Sequence, residues 1–173
     1  MEYAIRPAEL GDCDAIGNVH VLAWQAAYRG VRPDEYLDGL LAEDRAAMWR
    51  RYFVVPRPDQ RLAVLVHAGD VVGFAASGPE AGESERSEVG ELYAINLEPS
   101  SWGKGFGRAL LRDVTASLSS AGYRSAVLWV APQNQRARSL YELEGWIDDD
   151  VARDQELLGV TVSEVRYRRP LGV

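Results

Sequence analysis

Between Val89 and Val130 an apolar run, a glycine loop, a helical pattern and a second apolar run follow one another. Val89–Leu97 reads as a strand that ends at Glu98-Pro99 and feeds Trp102-Gly103-Lys104-Gly105-Phe106-Gly107. Phe106, Leu110, Val114, Ser117, Leu118 and Ala121 then share one face of a helix of about four turns, closed by Ala121-Gly122. Ser125–Val130 is the next strand. Two strands joined through a helix cannot form a hairpin. This piece therefore requires a crossover and a parallel pair.

The flanking segments ask for antiparallel pairing. Arg61–His67, the turn Ala68-Gly69-Asp70 and Val71–Ala76 read as a hairpin. Tyr3–Pro7 is a short first strand, and Ile16, Val19, His20, Ala23, Trp24 and Ala27 recur at helical spacing up to Tyr28. A second helix opens at Pro33-Asp34-Glu35, and a third carries Ala46, Trp49 and Phe53 before the Pro56-Arg57-Pro58 breaker. Gly78 to Ser87 reads as a mobile polar loop. Asn134 to Glu144 is a helix stopped by Gly145; Trp146-Ile147 and Val160–Arg168 complete the sheet around an acidic loop at Asp148-Asp149-Asp150. The expected fold is α/β: a central, mostly antiparallel sheet with one parallel pair, flanked by helices.

Residues 1–173 are long enough for a single domain with its own core, and no linker or repeat divides them. A net charge of −7 argues against a nucleic-acid partner, which would need a basic face, and mildly favours a cationic small substrate. No run approaches the roughly 18 apolar residues of a membrane helix, and no N-terminal segment resembles a signal peptide. The single cysteine, Cys13, cannot form an internal disulfide, which fits a reducing, cytoplasmic location. It lies between Asp12 and Asp14, which raise a thiol pKa and make it a poor nucleophile.

Glycines at the head of a helix let the backbone approach a ligand while unsatisfied amides face outward, a setting that suits phosphate. The loop is not a Walker loop, because Gly105 follows the Gly103-Lys104 pair where Ser or Thr is needed. It is not a dinucleotide fingerprint either: Arg108 stands where a glycine is wanted, and the next strand ends in Trp129-Val130 without an acid. A nucleotide-binding protein of either type is the weakest of three readings.

The chain resembles the GNAT superfamily of N-acyltransferases. The likeness rests on two motifs in order. The family's Arg/Gln-x-x-Gly-x-Gly/Ala signature is matched by Trp102-Gly103-Lys104-Gly105-Phe106-Gly107, and its Asn-x-x-Ala-x-x-x-Tyr-x-x-x-Gly-aromatic stretch by Asn134, Ala137, Tyr141, Gly145 and Trp146. With the Val71-Val72-Gly73-Phe74 strand and the element order, the likeness covers nearly the whole chain. The Trp24–Gly30 run resembles a variant common in uncharacterised members. One departure stands out: Trp102 occupies the place of the Arg or Gln side chain that contributes to diphosphate binding.

The resemblance implies acetyl-CoA or a close acyl-CoA as acyl donor and frequent homodimers, and no Cys/His/Asp cluster in the sequence supports a metal. It implies a diphosphate on the amides of Gly103, Lys104, Gly105, Phe106 and Gly107, with the Trp102 amide able to serve and Lys104 and Arg108 keeping the loop basic. It further implies a pantetheine arm paired with the backbone of Ile95, Asn96 and Leu97, and Asn134 and Tyr141 beside the cofactor. Asn134, Ala137 and Tyr141, at i, i+3 and i+7, share a helical face, with Leu140 and Leu143 turned to the core. A phenol stays protonated at neutral pH, so Tyr141 can donate a proton to a departing thiolate.

The acceptor amine must also lose a proton. Alternation places Glu91 in the row Val89, Glu91, Tyr93, Ile95 and Leu97, where desolvation raises its pKa and makes it a candidate base. Glu88 and a water chain are the alternatives. Trp24 and Tyr28, at i and i+4, are candidate acceptor-pocket walls together with Glu91. His20 and His67 lack metal-ligand or triad context and read as structural or exposed. The reading is N-acetyl transfer to a primary amine of a small molecule or peptide by direct attack. A non-catalytic acyl-CoA-binding regulatory module is the alternative.

Overall fold

Strands β1 (Ala4–Pro7), β2 (Arg61–His67), β3 (Asp70–Pro79), β4 (Val89–Leu97), β5 (Ser125–Val130), β6 (Ile147–Leu157) and β7 (Val160–Pro170) form one sheet in the order β1-β2-β3-β4-β5-β7-β6. The structure is a computed structural model and describes residues 2–55, 57, 59–81, 88–157 and 160–172. The crossover argued from the sequence is present: β4 and β5 are parallel, and every other recorded pair is antiparallel. Helices α1 (Cys13–Tyr28), α2 (Asp34–Asp38) and α3 (Ala42–Val54) follow β1; α4 (Phe106–Ser120) follows β4, and α5 (Gln135–Leu143) follows β5. No helix among the described residues is long and apolar enough to cross a membrane.

The two sheet faces carry separate cores because strand side chains alternate. Ala75, Leu92 and Leu128 pack with Phe106, Leu110 and Val114 of α4 on one face. Phe74, Ala76 and Val64 pack with Ile16 and Val19 of α1 on the other. On that second face α3 lies close over α1: a Cβ at Gly17 would stand 2.4 Å from the Ala42 carbonyl oxygen.

Two features set the site. Pairing of β3 with β4 steps from Ala76↔Ala94 to Ser77↔Leu92, so Tyr93 is an extra, bulged residue. Pairing of β4 with β5 covers only Val89–Leu92 against Ser125–Leu128. Beyond Leu92 the two strands have no recorded pairing, and the backbone from Ala94 to Leu97 borders a cleft.

Three expectations are corrected. Gly78 and Pro79 belong to β3, paired with Glu91 and Gly90, so the polar loop begins later; residues 82–87 of it lie outside the described residues, as do Pro56 and Pro58 of the breaker. Asp148, Asp149 and Asp150 form no loop between strands but an irregular step inside β6. Arg166 and Arg168 of β7 neutralise Asp149 there, at 2.8 and 3.3 Å. Finally, Leu143 is 71% exposed and not a core residue, while Leu140 packs on the α4-side core.

Candidate active site

One cavity of about 430 Å³ lies between β4, the glycine loop, the head of α4, and α5. Gly103 and Gly105 adopt φ of 75° and 83°, the left-handed region that other residues enter only with strain. Nothing stands within 4 Å of where their Cβ atoms would be. Gly105 caps α4 without a side-chain acceptor, so the first-turn amides keep their donors for a ligand. The backbone and the open space together fit a phosphate-bearing group.

The strand side of this cavity is also built for backbone recognition. Glu98 N–H donates to the Val72 carbonyl at 3.0 Å. Alternation then turns the amides of Ala94 and Asn96 toward β3, and those of Ile95 and Leu97 toward the gap that β5 leaves. Ile95, Asn96 and Leu97 all border the cavity.

Side chains of the loop divide their tasks. The Trp102 indole Nε1 donates to the Leu97 carbonyl at 3.0 Å, and the ring lines the cavity. Arg108 lines it too, with its Nε 2.8 Å from Glu144, a buried carboxylate that Arg112 also grips at 2.7 Å. These guanidiniums hold the Glu144 carboxyl below its ordinary value, the Arg112 hydrogen bond first. Lys104 is exposed and off the lining, and the Phe106 ring is buried against Tyr3 and His67, so those two residues present only backbone.

A second cavity, about 260 Å³, opens on the α1 face of the sheet. Its walls are aromatic: Trp24, Tyr28, Trp49, Tyr93 and Trp129, with His20 among them. The Trp24 and Tyr28 rings touch with centroids 4.9 Å apart and planes inclined by 52°. Burial, then the Glu164 charge, pushes the Tyr28 phenol up, with Arg32 and the Asn134 side chain acting the other way. His20 is neither exposed nor idle: its Nδ1 accepts from Trp49 Nε1 at 3.1 Å, and burial pushes its pKa down to about 4.

Tyr141 borders both cavities. Its ring is 5% exposed, and burial, with Tyr28 second, holds the phenol well above its ordinary value. Asn134 and Ala137 also border both, although Asn134 acts as the N-cap of α5, its Oδ1 accepting from Ala137 N–H at 3.2 Å.

Glu91 is placed differently from the alternating row read in the sequence. The bulge at Tyr93 flips the parity, so Leu92 joins Ile95 and Leu97, while Glu91 shares a face with Ala94, Ala76 and Phe74. Its carboxylate is buried, accepts from Ala81 N–H at 2.9 Å, and borders neither cavity. Desolvation is the largest cause of its raised pKa, opposed by the Ala81 hydrogen bond and Arg153. Glu88 is exposed and faces Arg124 at 3.3 Å.

The acid that lines the second cavity is Glu164 of β7, which the sequence pattern did not single out. It is 9% exposed and joined to Arg153 at 2.8 Å, whose guanidinium lies 3.9 Å over the Trp129 ring. An acid among Ser163, Arg166 and Arg168 in a terminal strand carries no local signal. Cys13 is buried and off both linings; burial is the main cause of its raised pKa.

The model of the acetyltransferase (GNAT) family matches residues 20–146. The uncharacterised N-acetyltransferase YuaI of Bacillus subtilis is 33% identical over 165 residues, covering 93% of this chain and 89% of its own length. The PaiA N-acetyltransferase of Thermoplasma acidophilum, solved with coenzyme A, superposes with a TM-score of 0.77 at 19% identity, over 98% of this chain and 99% of the other. YncA of Salmonella typhimurium, a putative acetyltransferase solved with acetyl-CoA, does so with a TM-score of 0.73 at 20% identity, covering 100% and 96%.

Proposed function

We propose, from the premise that the chain belongs to the GNAT family and is an acetyltransferase, that it moves an acetyl group from acetyl-CoA to the primary amine of a small molecule or peptide. The observation that carries this is Tyr141, the one titratable side chain among the described residues that border both the phosphate-fitting cleft and the aromatic one. Acetyl-CoA, when bound, supplies an activated thioester.

The chain's residues divide the rest of the task. Amides from Gly103 to Gly107, with the α4 dipole, hold the diphosphate. The outward backbone groups of Ile95 and the outward N–H of Leu97, whose carbonyl already accepts from the Trp102 indole, pair with the pantetheine arm, with Asn96 and Asn134 alongside, and an amide there can polarise the acyl carbonyl. Tyr141 keeps its proton at neutral pH and gives it to the departing sulfur.

Two carboxylates serve the acceptor. Glu164 faces the cavity beside Tyr28 and holds the incoming ammonium. Glu91, behind that wall with a raised pKa, takes the amine proton through water. Attack is direct, because Cys13 is off both cavities.

The test is thiol release from acetyl-CoA across an amine panel, for wild type and Tyr141→Phe. General acid catalysis is worth about 10²–10⁴-fold, so the variant should lose at least about 10²-fold in kcat with CoA affinity retained. Unchanged turnover removes Tyr141 from the proton-donor role. CoA binding with no turnover on any amine favours the regulatory module instead.

A further inference from the structure

We infer that Arg136 supplies the side-chain grip on the donor's diphosphate that the signature Arg or Gln would provide, with Trp102 as the platform that aims it. The inference rests on the acetyl-CoA reading above. Arg136 Cζ lies 4.3 Å over the centroid of the Trp102 ring, and both side chains line the same cavity as Gly103, Gly105 and Gly107. The ring itself is fixed, since its Nε1 is tied to the Leu97 carbonyl. A guanidinium stacked on an indole keeps its N–H donors in the plane of the stack, free to fork onto an oxyanion.

Charge bookkeeping along the wall leads to the same residue. Among the described residues the lining carries two guanidiniums, Arg108 and Arg136, and no carboxylate. Arg108 is committed to Glu144. Arg136 makes no ion pair among the described residues. It also sits in the first turn of α5, which contains no acidic residue. A cation at a helix N-terminus opposes the macrodipole, a placement that an arriving anion relieves. The cleft thus carries its uncommitted guanidinium on the helix facing the loop, beside the Trp that stands at the signature position.

Calorimetry with CoA and with 3′-dephospho-CoA tests this on wild type, Arg136→Ala, Trp102→Leu and the double variant, each checked by thermal melting. Charge-assisted phosphate contacts predict that Arg136→Ala weakens both ligands roughly tenfold or more. Trp102→Leu should weaken them less, and the double variant no further than Arg136→Ala. Arg136→Lys should recover only part, because the fork is lost. Wild-type affinity in Arg136→Ala overturns the inference. So does a loss seen with CoA and absent with 3′-dephospho-CoA, which would assign Arg136 to the ribose phosphate. Fully additive losses overturn the platform role of Trp102. If the wild type binds neither ligand, the acetyl-CoA reading itself fails, a result distinct from these.

Discussion

Trp49 of α3 donates its indole N–H to His20 Nδ1 of α1 at 3.1 Å, with both rings packed on Phe74. The bond leaves the imidazole proton on Nε2 and joins two helices at the wall of the aromatic cavity. Close approach of α1 and α3 at Gly17 makes it possible.

Burial of this imidazole, with the Arg45 charge second, makes stability depend on pH. Burial lowers the His20 pKa from 6.5 to about 4, so the unfolded chain binds this proton more readily than the folded one. The contribution is full above pH 6.5 and is lost as the pH falls through about 4. At about 1.4 kcal/mol for each unit of displacement, its ceiling is roughly 3 kcal/mol. Urea unfolding at pH 7 and pH 4 should show His20→Phe losing less stability on acidification than wild type. Equal losses would remove His20 as a source of the pH dependence.

Glu91 has the opposite sign. Desolvation raises its folded pKa above the ordinary 4.5, so its stabilising contribution is full below that value and is lost as the pH rises through the raised one. Glu91→Gln keeps the Ala81 N–H bonded and removes the titration. The variant should gain on wild type as the pH rises, by about 1.4 kcal/mol for each unit the pKa is displaced. In kinetics, an acid limb of kcat/KM governed by Glu91 should vanish in the variant. An unchanged limb would hand the base to Glu164 or water.

Glu164→Gln tests the ammonium contact. Loss of a nearly buried charge-assisted contact predicts a KM for cationic amines raised roughly tenfold or more, with kcat for acetyl transfer less affected and CoA affinity unchanged. Thermal melting controls for the lost Arg153 pairing at 2.8 Å. Equal effects on cationic amines and on a neutral hydroxylamine acceptor would argue against a charge role.

Gly105 is held at φ 83° with open space beyond it. The obstacle to a side chain is therefore conformational. Gly105→Ala should cost about 1–2 kcal/mol, and Gly105→Asn less, since Asn tolerates the left-handed region. Calorimetry should show CoA binding weakened in that order. An Asn variant no better than Ala would mean that occupancy of the cleft, not backbone strain, dominates.

What the sequence by itself determined is whatever local pattern encodes. The run from Val89 to Val130 dictated a parallel crossover with glycines at the head of α4, and the spacing from Asn134 to Tyr141 put the cap and the phenol on the cleft side of α5. The Trp24–Tyr28 pair on α1 was equally legible, because helical periodicity survives any packing. Tertiary structure decided the rest. One extra residue at Tyr93 reversed the parity of β4 and took Glu91 out of the row with Ile95 and Leu97, and nothing in the composition of that strand marks the bulge. Glu164 reached the wall of the aromatic cavity through the β5–β7 pairing, and Arg136 reached Trp102 through the docking of α5 against the loop. Each of those contacts joins segments far apart in the chain, so register and packing set it, and no local periodicity records it.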